Sequence, residues 1–380
     1  MAGAVGRPTW AEVDLGAVSA NYHALASLLD PGARLIPVVK ADAYGHGAAA
    51  VARTLAGEGA SMLAVALVEE GAALRAAGIT TDILVLEGAW PGQEHDAVRL
   101  RLTPAAGSAE GIRRLADAAA APEGDIAVHL KIDTGMTRLG APHDALAPVL
   151  DALAASSRVR LTGMFTHLAC ADEPDNPFNA EQVRRFEAAV AAVRARGLDP
   201  GELHVANSAG LLHHAALRRF AARPGIALYG YPPAPERTRV PLRRALQLRA
   251  RIGRIADIAP GTPVGYNCRF VAPRAMRAAT LGIGYADGYR RALGGRARVI
   301  VRDAWAAVLG AVSMDLIVVD VTDIPDAREG DEAILLGASP SCRVDAADLA
   351  AAAGTIPYEI LCGIGPRVPR VYREHSGWSC

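Results

Sequence analysis

Short apolar runs alternate with alanine-rich stretches over residues 16–228 of the chain. Runs rich in Val, Ile and Leu predict strands, and the stretches between them have a composition that favours helices. The predicted strands are Leu35–Val39, Met62–Leu67, Ile83–Leu86, Leu100–Thr103, Ile126–Ile132, Leu161–Phe165, Leu203–Ala206 and Phe220–Leu228. The predicted helices are Gly16–Leu29, Ala48–Glu58, Glu69–Ala77, Ala109–Ala121, His143–Ala155, Asn179–Arg196 and Ala209–Leu217.

This alternation predicts an α/β fold whose N-terminal part is a closed (β/α)8 barrel of the TIM type. The alternative is an open, doubly wound parallel sheet, as in dinucleotide-binding proteins. No GxGxxG motif follows the first predicted strand, which disfavours that alternative.

A proline cluster at Tyr231–Pro235 marks a change in pattern. Beyond it, short β-type runs separated by Pro and Gly predict a smaller β-rich domain. We therefore expect a barrel over residues 1–234 and a β-rich C-terminal domain over residues 235–380. The strands predicted there are Leu248–Ile258, Ala279–Ile283, Arg298–Val301, Ala306–Val312, Leu316–Val321 and Ala333–Leu336, with one helix at Asp345–Ala352.

Composition narrows the classes of function. The 380 residues carry 40 basic and 40 acidic side chains, so bulk electrostatic binding of nucleic acid or of an anionic membrane is not expected. Five cysteines without a CxxC pair predict neither a disulfide framework nor a metal site. The start of the chain has no apolar signal segment, and no run of about 18 apolar residues predicts a membrane span. A cytoplasmic protein is expected.

A lysine ends the first predicted strand, at Lys40. Active sites of (β/α)8 barrels lie at the carboxyl ends of the strands, where an amine can act as a nucleophile or a base. Its position alone is equally compatible with a surface lysine.

The wider string Val38–Gly47 (VVKADAYGHG) resembles the cofactor-lysine motif of alanine racemases, the barrel-type pyridoxal-phosphate enzymes. Further strings resemble this family, in the same order, along nearly the whole chain. They are Trp10–Leu15, Lys131–Gly140, His204–Ser208, Arg223–Gly230, Gly282–Tyr289, Val312–Asp315 and Arg367–Arg370.

The resemblance implies an amino-acid racemase that interconverts L- and D-alanine, with one base on each side of pyridoxal 5'-phosphate. Lys40 would bear the cofactor and serve as one base, and Tyr285 would be the other. His167 would lie against the pyridine ring, and Arg223 would face the pyridine nitrogen. The other cofactor-binding positions implied by the resemblance are Tyr44, Arg138, Asn207, Ser208, Gly225, Ile226 and Tyr358.

The resemblance also implies how the substrate is held. Arg138 and the backbone amide of Met314 would bind the alanine carboxylate, and Lys131 is a position that family members can carry as a carbamate. Tyr266 would lie near the active-site entrance. In the family the C-terminal domain reaches the partner subunit's barrel, so a head-to-tail homodimer with composite active sites is implied.

Some positions differ from the residues that are common in the family, namely Thr137, Ala311 and the Gly265–Asn267 string near the entrance. They leave open a racemase of broader specificity. A barrel-type amino-acid decarboxylase is a further alternative, but it would place an acidic residue where Arg223 stands. A non-catalytic single-barrel cofactor-binding protein would lack the β-rich domain and Tyr285. Whether the enzyme is biosynthetic, for peptidoglycan, or catabolic stays open.

Overall fold

The computed structural model describes residues 6–120 and 124–373. Its strands, in chain order, are β1 (Thr9–Asp14), β2 (Met62–Val65), β3 (Asp82–Val85), β4 (Thr103–Ala106), β5 (Ile126–Asp133), β6 (Ala141–Pro142), β7 (Val159–Phe165), β8 (Glu202–His204), β9 (Leu246–Ile258), β10 (Pro263–Val264), β11 (Phe270–Val271), β12 (Met276–Leu281), β13 (Arg298–Val301), β14 (Ala304–Leu309), β15 (Ile317–Asp320), β16 (Glu332–Ala338), β17 (Arg343–Val344) and β18 (Arg370–Arg373). Its helices are α1 (Leu15–Ala26), α2 (Lys40–Gly45), α3 (Ala48–Gly57), α4 (Val68–Ala76), α5 (Glu94–Arg99), α6 (Ala109–Ala118), α7 (Ala147–Ala155), α8 (Phe178–Ala195), α9 (Ser208–His213), α10 (Ala346–Ala353) and α11 (Pro357–Cys362). Ala121, the last residue of one predicted helix, lies outside the described residues.

The barrel unit comprises residues 18–43 and 48–243. Strands β2, β3, β4, β5, β7 and β8 pair side by side in parallel, and β6 adds to β5. Parallel bridges Val38↔Ala64, His204↔Ala221 and Leu35↔Ala222 close this row into a ring. The predicted (β/α)8 barrel is confirmed.

Two members of the ring are not regular strands, so the strands predicted at Leu35–Val39 and Phe220–Leu228 are wrong in detail. Each keeps only isolated bridges, and Ile226–Tyr229 forms a 3-10 turn. Proline explains the first case, because Pro37 has no N–H for the ladder. The strand predicted at Leu100–Thr103 begins only at Thr103, since Leu100 is the C-cap of the unpredicted helix α5.

The C-terminal unit comprises the described residues up to Ala17, the segment Tyr44–Gly47, and the chain from Arg244 onward. Its main sheet has the order β17-β16-β13-β14-β15-β12-β9-β1-β18, and an additional pairing joins β16 to β9. The long strand β9 therefore pairs with β1, β12 and β16. The predicted β-rich domain is confirmed, and so is its helix, which Asp345 caps through the amide of Ala347.

Five strands of this unit were not predicted: the two-residue strands β10, β11 and β17, and the longer strands β1 and β18. Strands β1 and β18 pair with each other in parallel, and β1 pairs antiparallel with β9. Among the described residues, no helix combines the length and the apolarity that a membrane span requires.

Candidate active site

Lys40 begins the turn α2, directly after the bridged segment that closes the barrel. The next four residues, Ala41–Tyr44, all have φ between +51° and +54°, so the turn is left-handed. This conformation costs about 1–2 kcal/mol per L-residue and needs outside support. Glu70 supplies it: its carboxylate accepts from the amides of Ala41 (2.7 Å), Ala66 (2.7 Å) and Leu67 (3.2 Å).

Several cations gather at this end of the barrel unit. Burial, and after it the charges of Arg138 and Arg223, lower the pKa of the Lys131 amine to about 8. Glu87 opposes this shift and Lys40 adds to it, so these groups lie within electrostatic range of one another. Such a concentration of positive charge favours an anionic ligand.

Arg223 is the buried member of this group, with 3% of its surface exposed. Its Nη2 donates to the carbonyls of Thr166 (2.7 Å) and Val205 (3.2 Å) and lies 3.3 Å from Nδ1 of His167, while Nη1 donates to Nδ1 of His204 (2.9 Å). The Arg223 Nε–H and the second Nη1–H have no acceptor among the described residues. Burial lowers the pKa of Arg223 to about 9, so it stays charged at neutral pH.

The His167 ring is neutral at neutral pH. Its pKa lies well below the ordinary histidine value because of burial and, next, the charge of Arg223. Since its Nδ1 faces a guanidinium donor, its own hydrogen is on Nε2, which can donate to a ligand.

A small cradle lies between α9 and the 3-10 turn that follows Arg223. Asn207 caps α9 by accepting from the amide of Gly210 (2.8 Å), which fixes Ser208 at the helix start. The Ser208 hydroxyl oxygen accepts from the amides of Gly225 (3.0 Å) and Ala227 (3.3 Å). Both lone pairs are thereby used, so the Ser208 O–H points elsewhere, as a donor.

In the C-terminal unit the structure brings Tyr44 and Tyr358 together. Their ring centroids lie 6.1 Å apart, at 47°. Gly45 allows this approach: its φ is +82°, and a Cβ there would lie 2.3 Å from the carbonyl oxygen of Leu361. Arg370 donates to the carbonyl of Gly45 (3.0 Å).

The same unit joins Tyr285 to Met314 through the backbone. The amide of Tyr285 donates to the carbonyl of Ser313, and that of Ala286 to the carbonyl of Met314, both at 3.0 Å. Both predicted side chains are exposed, Tyr285 by 42% and Met314 by 52%.

The sequence analysis did not identify the side chain that holds the loop around Tyr285 in place. The buried Asp287 accepts from the amide of Gly284 (3.0 Å) and pairs with Arg7 and Arg367. Arg367 in turn pairs with Asp315 (2.6 Å).

Tyr266 is the most exposed tyrosine of this unit, at 68%. The turn that presents it has positive φ at Gly265 (+73°), Asn267 (+59°) and Cys268 (+49°). Two of these residues are not glycine, and strain of this kind is common at functional sites.

A cavity of about 380 Å³ opens beside Lys131 and Arg138 in the barrel unit. Its walls come from the segments that follow β3 and β4 and from α6, and they include Glu87, Ser108 and Arg114. Across residues 6–120 and 124–373, no three His, Cys, Asp or Glu side chains are grouped as a metal site requires.

The donor set of the barrel fits a phosphorylated aldehyde cofactor. Lys40 provides an amine, Ser208 a directed hydroxyl donor, and Arg223 a buried cation with unused N–H groups. Amines form imines with carbonyl cofactors, and hydroxyl and amide donors suit a phosphate.

Comparison with known proteins gives matches over nearly the whole chain. Residues 13–233 match the family model "Alanine racemase, N-terminal domain", and residues 245–372 match "Alanine racemase, C-terminal domain". An alanine racemase of Syntrophobacter fumaroxidans is 45% identical over 94% of this chain and 95% of its own length. One of Geobacter sulfurreducens is 43% identical over 97% and 98%. The solved alanine racemase of Streptomyces lavendulae superposes with a TM-score of 0.91, at 36% identity and with 98% of both chains covered.

Proposed function

Because the chain belongs to the alanine racemase family, its activity is the interconversion of L- and D-alanine, and we propose that Lys40 and a tyrosine of the C-terminal unit are its two bases. The observation that carries this proposal is the gathering of Lys40, Lys131, Arg138 and Arg223 at one end of the barrel. Inversion at a carbon needs a proton removed from one face and returned to the other, which two bases provide.

Pyridoxal 5'-phosphate is the cofactor in this proposal, and when bound it supplies an electron sink for the α-carbon. Lys40 would hold it covalently, and one of the hydrogens left over on Arg223 would donate to the pyridine nitrogen. An arginine keeps its own protons, so it gives none to the ring. His167 would donate from Nε2 beside the ring.

The phosphate would be held from two elements of the barrel unit and two tyrosines. The Ser208 hydroxyl and the backbone amide of Ile226 provide neutral donors, whereas the Gly225 amide already donates to Ser208 and holds the turn in place. Tyr44 and Tyr358 add phenol hydroxyls from the pair that the structure brings together.

Arg138 and the Met314 amide would bind the substrate carboxylate. Guanidinium matches a carboxylate in charge and in planar geometry. We propose that Lys131 carries a carbamate, which would turn a repelling neighbour of Arg138 into an attracting one. The lowered pKa of Lys131 supports this, because only the neutral amine attacks carbon dioxide.

For the second base, the sequence resemblance predicts Tyr285, while two structural observations favour Tyr266. Tyr266 is 68% exposed against 42% for Tyr285, and only the Tyr266 turn holds non-glycine residues at positive φ. We propose that Tyr266 is the base, and that Tyr285, tied to the Met314 loop, lines the substrate pocket. The barrel cations would stabilise the phenolate.

We further propose a cytoplasmic homodimer in which each barrel is completed by the partner subunit's C-terminal unit. Exposed apolar side chains support an interface on that unit. They are Tyr266, Tyr285, Met314, Leu316, Ile356 and Tyr358.

The test of the proposed function is an assay of the purified protein and of Lys40→Ala with L-alanine. We expect the wild type to absorb visible light from its lysine-bound cofactor and to form D-alanine, and the variant to do neither. Carbon dioxide as product would indicate a decarboxylase, and D-serine from L-serine a broader racemase. Normal racemisation by Lys40→Ala would refute the role of Lys40.

Release of the α-deuterium of alanine distinguishes the roles of Tyr266 and Tyr285. Each of Tyr266→Phe and Tyr285→Phe is given α-deuterated L- or D-alanine in water. Tyr266→Phe should lose racemisation by about 10²–10⁴-fold yet still release deuterium from one enantiomer, through Lys40. Tyr285→Phe should release it from both. The reverse pattern would assign the base to Tyr285.

A further inference from the structure

Two buried histidines lie in line behind Arg223. Nη1 of Arg223 is 2.9 Å from Nδ1 of His204, and Nε2 of His204 is 2.8 Å from Nδ1 of His129. His204 and His129 are 0% and 1% exposed. They come from β8 and β5, the strands on either side of β7, so this row crosses the barrel interior.

The hydrogen bonds of the row have one possible direction. Arginine only donates, so Nδ1 of His204 must accept, and the hydrogen of a neutral His204 is on Nε2. That hydrogen is donated to Nδ1 of His129, whose own hydrogen is then on Nε2. Both rings are neutral: burial, then the charge of Arg223, lowers the pKa of His204 well below its ordinary value, and burial lowers that of His129 to about 4.

Packing prevents either ring from turning. Phe165 stacks on His204 with centroids 4.7 Å apart and planes at 13°, and the guanidinium of Arg223 lies 5.0 Å from the same phenyl centroid. A Cβ at Gly163 would lie 2.7 Å from atoms of the His129 ring, so only glycine leaves room for it.

We propose that His204 and His129 are positioning residues that hold Arg223 in one orientation, with one of its remaining N–H groups directed at the cofactor ring nitrogen. The inference rests on the role of Arg223 proposed above. Thr166 fixes Nη2 of the guanidinium and His204 fixes Nη1. His129 in turn fixes the tautomer of His204, because it accepts the Nε2 hydrogen that would otherwise be buried without a partner.

The expected consequence is control of a side reaction. A charged donor that keeps its proton leaves the pyridine nitrogen unprotonated, which disfavours transamination. If Arg223 loses its fixed direction, water or a proton can reach that nitrogen. Loss of one hydrogen bond in the row should then raise the fraction of turnovers that end in pyruvate about fivefold.

The experiment compares His129→Leu with His129→Asn. Leucine fills the space but cannot accept, whereas the asparagine carbonyl can still accept from His204. The first readout is the pyruvate-to-D-alanine ratio of the loaded enzyme. The second uses the apoenzyme: the slowly exchanging Nε2 proton of His204, seen by NMR with ¹⁵N-labelled histidine. The ratio is followed over pH, because Arg34 and Arg223 act on both histidines, and Lys40, Lys131 and Arg138 act on His167 beside Arg223.

We expect His129→Leu to raise the ratio and lose the proton signal, and His129→Asn to resemble the wild type in both. Arg223→Glu is the control for the underlying proposal and should raise the ratio further. If Arg223→Glu raises it but His129→Leu does not, the positioning role is refuted and the Arg223 proposal stands. If Arg223→Glu leaves it unchanged, the Arg223 proposal fails and the inference fails with it. If His129→Leu does not fold, His129→Gln takes its place. The glutamine carbonyl lies farther along the side chain than the Nδ1 position that accepts from His204, so the same results are expected as for leucine.

Discussion

Lys131 is a buried amine whose chemistry depends on pH. With a pKa of about 8, its neutral fraction rises from pH 6 to pH 9. We therefore predict that a carbamate signal grows over this range when the protein is supplied with ¹³C-bicarbonate and observed by ¹³C NMR. Absence of that signal at pH 8 would contradict the carbamate.

Activity provides an independent check on Lys131. Lys131→Ala should lose most racemase activity, because Arg138 would lose the proposed carbamate as its negative neighbour, and added acetate should restore part of it by occupying the vacated space. Lys131→Arg retains the positive charge and the bulk, so acetate should not restore it. Rescue of both variants to the same degree would indicate an effect unrelated to the carbamate.

His129 makes the free energy of unfolding depend on pH. In the unfolded chain it binds a proton near pH 6.5, but in the fold only near pH 4. Between these values the unfolded state holds more protons, so the free energy of unfolding falls as the pH falls, by at most about 3 kcal/mol for this residue.

We predict that His129→Asn loses less stability than the wild type between pH 7 and pH 5, measured by urea unfolding of the apoenzyme. His23→Asn is the matched control, because that histidine is exposed, with a side-chain exposure of 58%. Equal pH dependence of His129→Asn and wild type would show that His129 is not held neutral in the fold.

Individual residues differ in how far the sequence reveals them. Lys40 lies in a long, specific string, so the sequence alone is enough to predict a role for it. His129 lies between Val128 and Leu130 in β5, and a histidine among apolar neighbours predicts no role. One signal was present: His129 and Lys131 are two apart in β5 and so face the same side of the strand. Their partners come from other strands, which local sequence cannot supply.

At the scale of elements, the turn α2 depends on Glu70. This carboxylate accepts three amides, one of them directly after Lys40. Glu70→Ala leaves those amides without their acceptor next to a strained left-handed segment, so we predict weaker cofactor binding, by about tenfold, measured by titrating the apoenzyme.

Glu69→Ala is the control for this prediction. Glu69 precedes Glu70 on the same helix, but among the described residues the one hydrogen bond of its carboxylate is accepted from the Gln93 side-chain amide (3.1 Å). Its replacement should leave cofactor affinity unchanged. Equal losses in both variants would mean that the effect comes from the α4 helix start and not from support of the turn.

Secondary structure was predictable where local pattern decides it. Strands β5 and β13 coincide with apolar runs and lie within a residue of their predicted bounds. The ring member at Leu35–Val39 keeps its place in the barrel without strand geometry because Pro37 interrupts its ladder. The left-handed turn α2 could not be foreseen, since Ala41–Tyr44 contains no glycine to signal positive φ.

At the scale of the molecule, the two units draw on distant parts of the chain. β1 pairs with β9 and β18, although more than two hundred residues separate it from each, as in Ala11↔Leu248 and Ala11↔Arg370. Periodicity reports local conformation and cannot report such pairing, so the N-terminal strand could not be assigned to the β-rich unit from pattern alone. The strings that resemble the family predicted the order of the two domains along the chain. The pairing of β1 with β9 and β18 is seen only in the structure.

The proposed composite site predicts complementation between inactive subunits. Lys40→Ala damages the barrel and Tyr266→Phe the C-terminal unit, so each homodimer alone is inactive. In a hybrid dimer, one site combines both defects and the other combines the intact barrel with the intact C-terminal unit. Random exchange makes half of the dimers hybrids with one good site of two, so the mixture should recover about a quarter of wild-type activity.

The control mixes Lys40→Ala with Arg138→Ala, two defects in the same unit. Here each site of a hybrid has one damaged barrel, so no activity should return. If each site were built from a single chain, the first mixture would stay equally inactive, because every chain carries a defect. Recovery in the first mixture alone therefore requires that a barrel and a C-terminal unit from different subunits meet at one alanine.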